Sequence, residues 1–385
     1  MINTINFKTK TVLSERQYPI KKTWNIGLDL GYSAVKGFSP NMVFRFPAFA
    51  KKISEDFVSI SAPKDSDIQY KDLNTGEIWS VGESALDLAG LNDSELFVYG
   101  RLRYYSPMFQ VTTRVGMALG MLSNKYGNPE GKPLFIETGL PPEYRKNDEN
   151  ILIESLVGKY DFAVKIGKND WIEFHYVLAD KQIHVMDQPM GTLFSISTLS
   201  NGKVAPEAAK YFNSNLLIAD AGFKTLDIYN LSSGKIITKP ETIDNLGMKE
   251  IFKRTCEEIQ IKYRKEITVT ELQRYLSTGK IKILKRNLGS KPISIEEDFS
   301  DILEKQCKKV CSEALNRICD IYNSLVEHDY LVITGGTCSA WSSYIRDYFE
   351  EMQTLKILSG AQNDNLSAVF ANVRGYYMYA LQNHE

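Results

Sequence analysis

No run of apolar residues in this 385-residue chain approaches the roughly 20 that a transmembrane helix needs, and its polar start has no signal-peptide core. The expected compartment is the cytosol. Cysteine is scarce: Cys256, Cys307, Cys311, Cys319 and Cys338 include no C-x-x-C pair, and an odd number without an export signal argues against a disulfide framework. Cys307, Cys311 and Cys319 fall at i, i+4 and i+12 beside Val310, Leu315 and Ile318, which predicts core thiols on the buried stripe of a helix rather than a metal site. The four histidines, His175, His184, His328 and His384, have no ligand spacing, so zinc is not expected. An excess of one charge is also missing, since 46 basic residues face 47 acidic ones for a net of −1. Nothing global points to a nucleic-acid or membrane partner. A Gly-x-x-x-x-Gly-Lys-Ser/Thr phosphate loop is absent as well.

What the chain does have is organised around residues 215–230. Leu216, Leu217, Ile218 and Ala219 form a short buried-strand run, Asp220-Ala221-Gly222 makes a turn, and Leu226 and Ile228 alternate with polar neighbours in a second strand. A carboxylate at a strand end, followed by a glycine that lets the turn aim backbone N–H groups outward, suits a magnesium-bound phosphate. Taken alone, Asp-x-Gly is also an ordinary turn. A second copy adds weight: residues 24–38 place Asp29 after Ile26 and Leu28, Gly31 two residues on, and Val35, Lys36 and Phe38 in the return strand. Two such hairpins, 191 residues apart from Asp29 to Asp220, are what two similar lobes facing one cleft would supply. Lys36 could set an ammonium beside the phosphates or be a plain strand lysine. A third segment, 330–341, follows a strand with Gly335 and Gly336, which allow close backbone approach, and with Thr337 or Ser339 as a helix cap.

Together, Asp29-x-Gly31, Asp220-x-Gly222-x-x-Thr225-x-Asp227 and Gly335-Gly336-Thr337 resemble the phosphate-1, phosphate-2 and adenosine motifs of the ATPase superfamily that unites actin, sugar kinases and heat-shock chaperones. Within it, 139–142 (GLPP), 185–188 (VMDQ) and 370–377 (FANVRGYY) resemble the bacterial actin-like proteins of the ParM/StbA type, which segregate plasmids. The likeness runs over residues 24–380. Phe223 and Lys224 stand where small residues are usual in the family, and Thr337 replaces a third glycine or alanine.

The resemblance implies an α/β, actin-like two-lobed ATPase fold, with duplicated mixed β-sheet domains around a nucleotide cleft. Its divisions would be a leader over 1–22, domain I over 23–205 plus 360–385, and domain II over 206–359. It implies ATP and Mg²⁺ as cofactors. Asp29 and Asp220 would sit at the metal. Gly31, Tyr32, Ser33, Lys36, Gly222, Phe223, Lys224 and Thr225 would surround the phosphates, Gly335, Gly336 and Thr337 the adenosine, and Gly247 would lie near the nucleotide. Gln188, with Asp187 second, would hold the attacking water, since an amide or carboxylate at a helix entrance can do this without a covalent bond; a plain helix cap at Asp187 is the alternative. The partners implied are further copies of the chain in a head-to-tail filament and an adaptor protein bound to plasmid DNA. The competing function is a small-molecule kinase of the same superfamily with Asp187 as its base.

Other segments yield coarser expectations. Strands are predicted from Phe38 to Phe57, a hairpin over 68–82, and a helix over 104–126 from the spacing of Val111, Val115, Ala118 and Leu122. Lys132 to Leu140 reads as a strand ended by Pro141 and Pro142, with strand-like stretches over 152–184 and a helix from Asp187 to about Leu199. Residues 300–326 and 365–381 read as helices. The first 22 residues read as a disordered leader or an arm for a neighbouring subunit. Basic residues from Lys262 to Lys291 read as a solvated face or partner surface; interleaved Glu266 and Glu271 argue against direct DNA binding.

Overall fold

Trp24–Leu30 is buried at every residue, so it must be a strand covered on both faces, and it forms the middle of the first lobe's sheet. The computed structural model describes residues 2–54, 62–89, 101–232, 235–236, 241–285 and 291–384. The first sheet runs in the order Val12–Glu15, Met42–Pro47, Ala34–Phe38, Trp24–Leu30, Leu134–Leu140, Ile183–Asp187. The pairings up to Trp24–Leu30 are antiparallel, and the last two strands add in parallel. The second lobe repeats the plan. Leu216–Ala221 pairs antiparallel with Thr225–Ser232 and parallel with Tyr330–Thr334, which carries Lys356–Ser359, again in parallel. In each lobe, then, a hairpin is extended on one side by parallel strands, and the hairpin tips hold Asp29 and Asp220.

Each sheet buries its own apolar cluster. Ile26, Leu28, Val115 and Ile136 lie in that of the first lobe, and Leu217, Ile251, Leu303 and Trp341 in that of the second. Cys307 and Cys311 are buried on helix Ser300–Ile321, which closes after one turn fewer than the periodicity predicts. A further sheet, Ile172–Leu178, Gly158–Ile166, Ile68–Asp72, Ile78–Val81 and Ala50–Ile53, belongs to the first lobe. Lys280–Lys285 and Ile293–Asp298 form a hairpin on the second.

Helices Gln188–Ser197 and Ala371–Asn383 pack against each other beside both lobes. At their crossing the Gly191 backbone occupies the place a Cβ on Gly375 would need. Arg374, fully buried, is ion-paired with Asp364 and donates to the carbonyls of Ser195 and Thr198 at 2.5 and 2.8 Å. These bonds satisfy the last carbonyls of helix Gln188–Ser197, which have no partner inside the helix.

Several expectations need correction. Residues 142–156 form a helix that starts on Pro142, where the strand-ending prolines suggested only a stop. The predicted helix over 104–126 shortens to Pro107–Gly120, capped by Ser106, whose hydroxyl accepts from the Phe109 amide at 3.2 Å. The basic stretch holds a strand with Ile281 and Ile283 inward and Lys280, Lys282 and Lys285 exposed; Arg286 and Phe57 lie outside the described residues. Within this chain, Val12–Glu15 is an edge strand of the first sheet and Thr4–Phe7 a short helix against the second lobe. Among the described residues no helix is long and apolar enough to cross a membrane.

Candidate functional site

Asp29 ends its strand buried, opposite Lys36 in the antiparallel register, and the Lys36 ammonium lies 2.8 Å from its carboxylate. From the start of helix Gln188–Ser197 the Gln188 amide donates to the other Asp29 oxygen at 3.3 Å. An ionised carboxylate only accepts, so the nitrogen of Gln188 faces Asp29 and its carbonyl oxygen is left for another partner. Asp187, the residue before, lies 3.6 Å from the Arg145 guanidinium. Burial raises its carboxyl above the usual range, and Arg145 opposes the shift.

Asp220 is buried at the matching tip of the second lobe and accepts a 2.6 Å hydrogen bond from Asn372, whose own oxygen accepts from Thr192 at 2.7 Å. Burial pushes Asp220 upward; the Lys36 charge and the Asn372 hydrogen bond oppose this, and the Asp29 charge adds to it. The charges of Lys36 and Asp29 thus lie near enough to act on Asp220. Behind it Asp227, the cross-strand partner of Asp220, is raised well above the normal range by burial and then by Asp220; Thr225 donates to it at 3.2 Å. Gly335 sits at φ +85°, and a Cβ there would run into the Asp220 carboxylate and the Ala221 carbonyl. Two buried carboxylates, with a side chain excluded at Gly335 beside one of them, supply the oxygen donors that a hard divalent cation such as Mg²⁺ takes.

The second turn is fastened from three sides. The Met248 and Lys249 amides, opening helix Met248–Tyr263 after Gly247, donate to the carbonyls of Gly222 and Phe223 at 3.3 and 2.8 Å. Thr337 donates to the Gly222 carbonyl at 2.5 Å. This corrects the cap assigned to Thr337 and Ser339: Thr334 is the capping residue of helix Gly335–Tyr348, and Ser339 donates to the Gly335 carbonyl at 3.3 Å. Gly336 has only Val369 within reach of a Cβ, at 3.8 Å. Lys224 turns from the acidic pair to donate to Tyr144 at 2.9 Å and pair with Asp244 at 3.2 Å. Beneath the first turn, Arg103 donates to the Leu30 carbonyl at 2.5 Å and lies 4.3 Å from the Tyr32 ring. Ser33 accepts from the Ala48 amide at 3.0 Å. Ser33, Lys36, Gly222, Phe223, Gly336 and Thr337 all line one cavity of about 80 Å³.

A family model described as "Actin like proteins N terminal domain" matches residues 27–191, the span that holds Asp29, Lys36 and Gln188. Residues 27–191 are thus similar to that domain, and the chain as a whole has the fold of ParM. A 15-stranded ParM filament from Clostridium botulinum superposes with a TM-score of 0.72 at 19% identity, covering 94% of this chain and 99% of that one. A psk41 ParM protein in apo form gives 0.61 at 18%, covering 94% and 99%, and an archaeal actin homolog 0.60 at 15%, covering 94% and 100%. A search by sequence among curated proteins finds no match.

Sequence reasoning missed several residues of this cleft. Asn372, Tyr144 and Arg103 lie far along the chain from the groups they contact, and nothing local signals them; Asn372 sits inside the FANVRGYY segment, whose spacing marks only a helix. His184 and His384 meet on the fully buried Glu137, at 2.7 and 2.8 Å. The Glu137 hydrogen bond raises His184 above its ordinary value.

Proposed function

We propose that the chain binds ATP with Mg²⁺ in the cleft, hydrolyses it, and polymerises head to tail into filaments that turn over with hydrolysis, serving plasmid DNA segregation through an adaptor protein. The observation that carries this reading is the repeated hairpin with a buried Asp29 or Asp220 at its tip, Lys36 pairing with Asp29 at 2.8 Å. Mg²⁺, when bound, would neutralise developing phosphate charge, held by Asp29 and Asp220 directly or through water. Lys36 and the turn amides at Gly31, Tyr32, Ser33, Phe223 and Lys224 hold the phosphates, while the Gly222 amide closes the second turn on the Thr225 carbonyl at 2.9 Å. Gly335, Gly336 and Thr337, with Gly247, flank the adenosine. Gln188, its nitrogen spent on Asp29, offers its carbonyl oxygen to the attacking water and fixes it in line.

Assembly follows from the two-lobed shape. Closure on nucleotide alters both ends of a subunit together, and a heterologous contact that does not close into a ring propagates as a filament. The likeness to a ParM filament supports this, and the near-zero net charge fits a protein that reaches DNA through an adaptor and needs no membrane. Light scattering with ATP, ADP and no nucleotide tests the reading: a rise with ATP that decays as phosphate is released is expected. A flat trace with ADP release dependent on an added sugar would establish the kinase alternative, whose base Asp187 is here paired with Arg145.

A further inference from the structure

The cavity beside the two phosphate turns has a wall that no nucleotide motif supplies. Asn6, Phe7, Lys8 and Thr9 line it opposite Lys36, Gly222, Gly336 and Thr337. Phe7 is buried in the second lobe's cluster with Met248 and Phe252. Thr4 donates to the Leu276 carbonyl at 2.8 Å and Lys8 to the Ser277 hydroxyl at 3.0 Å, anchoring the same segment. A few residues on, the chain belongs to the other lobe: the Thr11 amide donates to Glu83 at 2.6 Å, Arg45 donates to the Lys10 carbonyl at 3.2 Å, and Val12–Glu15 pairs with Met42–Pro47.

With residues 6–9 in place the cavity measures about 80 Å³. Pockets for small molecules run from roughly 300 Å³ upward. With the segment in place, the space that runs from the phosphate turns to Gly336 and Thr337 is smaller than a nucleotide needs.

We propose that residues 2–9 are a tethered competitor of the nucleotide, docked on the base end of the cleft and displaced when ATP binds; the proposal rests on the nucleotide reading above. The edge strand stays in the first sheet and keeps the displaced segment close, at an effective concentration set by the short link at residues 10–11. Apparent affinity is lowered by the fraction of molecules with the segment docked, so loosening it tightens binding. A segment that merely completed the pocket wall would behave oppositely, and the sign of the effect separates the two.

The test uses the full chain and a fluorescent ATP analogue with Mg²⁺. Thr4→Val, which removes one anchoring hydrogen bond, and Phe7→Ala, which empties the apolar seat, are each expected to tighten binding by about fivefold or more. Should Phe7→Ala fold poorly, Thr4→Val carries the test, as does hydrogen exchange on the unaltered protein, where ATP is expected to speed exchange at residues 4–9 and slow it at 29–36 and 220–225. Weaker or unchanged binding in Thr4→Val, or slower exchange at 4–9 on ATP addition, would overturn the competitor while leaving the nucleotide site intact. No binding by any variant and no change at 29–36 or 220–225 would overturn both.

Discussion

Lys224 of the second lobe donates to the phenol of Tyr144 on the first at 2.9 Å, and that phenol in turn donates to Asp244 at 2.9 Å. The ammonium also lies over the rings of Tyr144 and Tyr32, at 5.2 and 5.7 Å. A contact that joins the lobes beside these turns favours the arrangement seen here. Lys224→Met and Tyr144→Phe should each lower stability, and a double-mutant cycle in urea should give a coupling of about 1 kcal/mol. A coupling near zero would show that the pair touches without linking the lobes.

Gln188→Ala removes the carbonyl assigned to the water and the amide held by Asp29. Phosphate release should slow by about 10- to 100-fold while ATP-dependent scattering persists. Measured side by side, an unchanged release rate would assign the water to another group.

Gly335 and Gly336 are adjacent but should respond differently. Gly335→Ala forces a side chain to φ +85° and into Asp220, a strain of about 1–3 kcal/mol before the clash is counted, and should lower the unfolding midpoint and weaken Mg²⁺-nucleotide binding. Gly336→Ala meets only Val369 and should stay within about 0.5 kcal/mol of the parent. Thermal unfolding of the two variants checks both.

The His184–Glu137–His384 cluster predicts a pH dependence. The folded pKa of His184 is raised above its ordinary 6.5 by Glu137, so its contribution to stability is complete below that value and is lost as pH rises through the folded pKa. Thermal midpoints of the parent and of Glu137→Gln should therefore differ in slope, the parent falling more steeply from about pH 6.5 upward. Parallel curves would rule out the linkage.

Both Asp-x-Gly hairpins were legible because each packs its signal into about 15 adjacent residues: a buried run, an acid, a glycine and an alternating return strand. Lys36 and Gln188 sit where those segments put them. The helix at Pro142–Leu156 escaped because only Asp148, Leu152 and Leu156 of it are buried, too few for a visible stripe. Strand Lys280–Lys285 hid behind its lysines, since a one-sided hairpin shows charge on every other residue. Asn372 on Asp220 and the two histidines on Glu137 join residues 152, 47 and 247 positions apart, and only the folded chain creates those pairs. The ordering of the leader was invisible for a related reason: Phe7 gains its seat from the other lobe's core.

At the crossing of helices Gln188–Ser197 and Ala371–Asn383, main chain rests directly on main chain at Gly191 and Gly375. Scissor blades need a rivet, and two bare glycines provide one, pinned on either side by Arg374 on the Ser195 carbonyl and Thr192 on Asn372. With Gln188 one turn before the rivet and Asn372 one turn before it on the partner helix, a swing of the blades would move the groups touching Asp29 and Asp220 together.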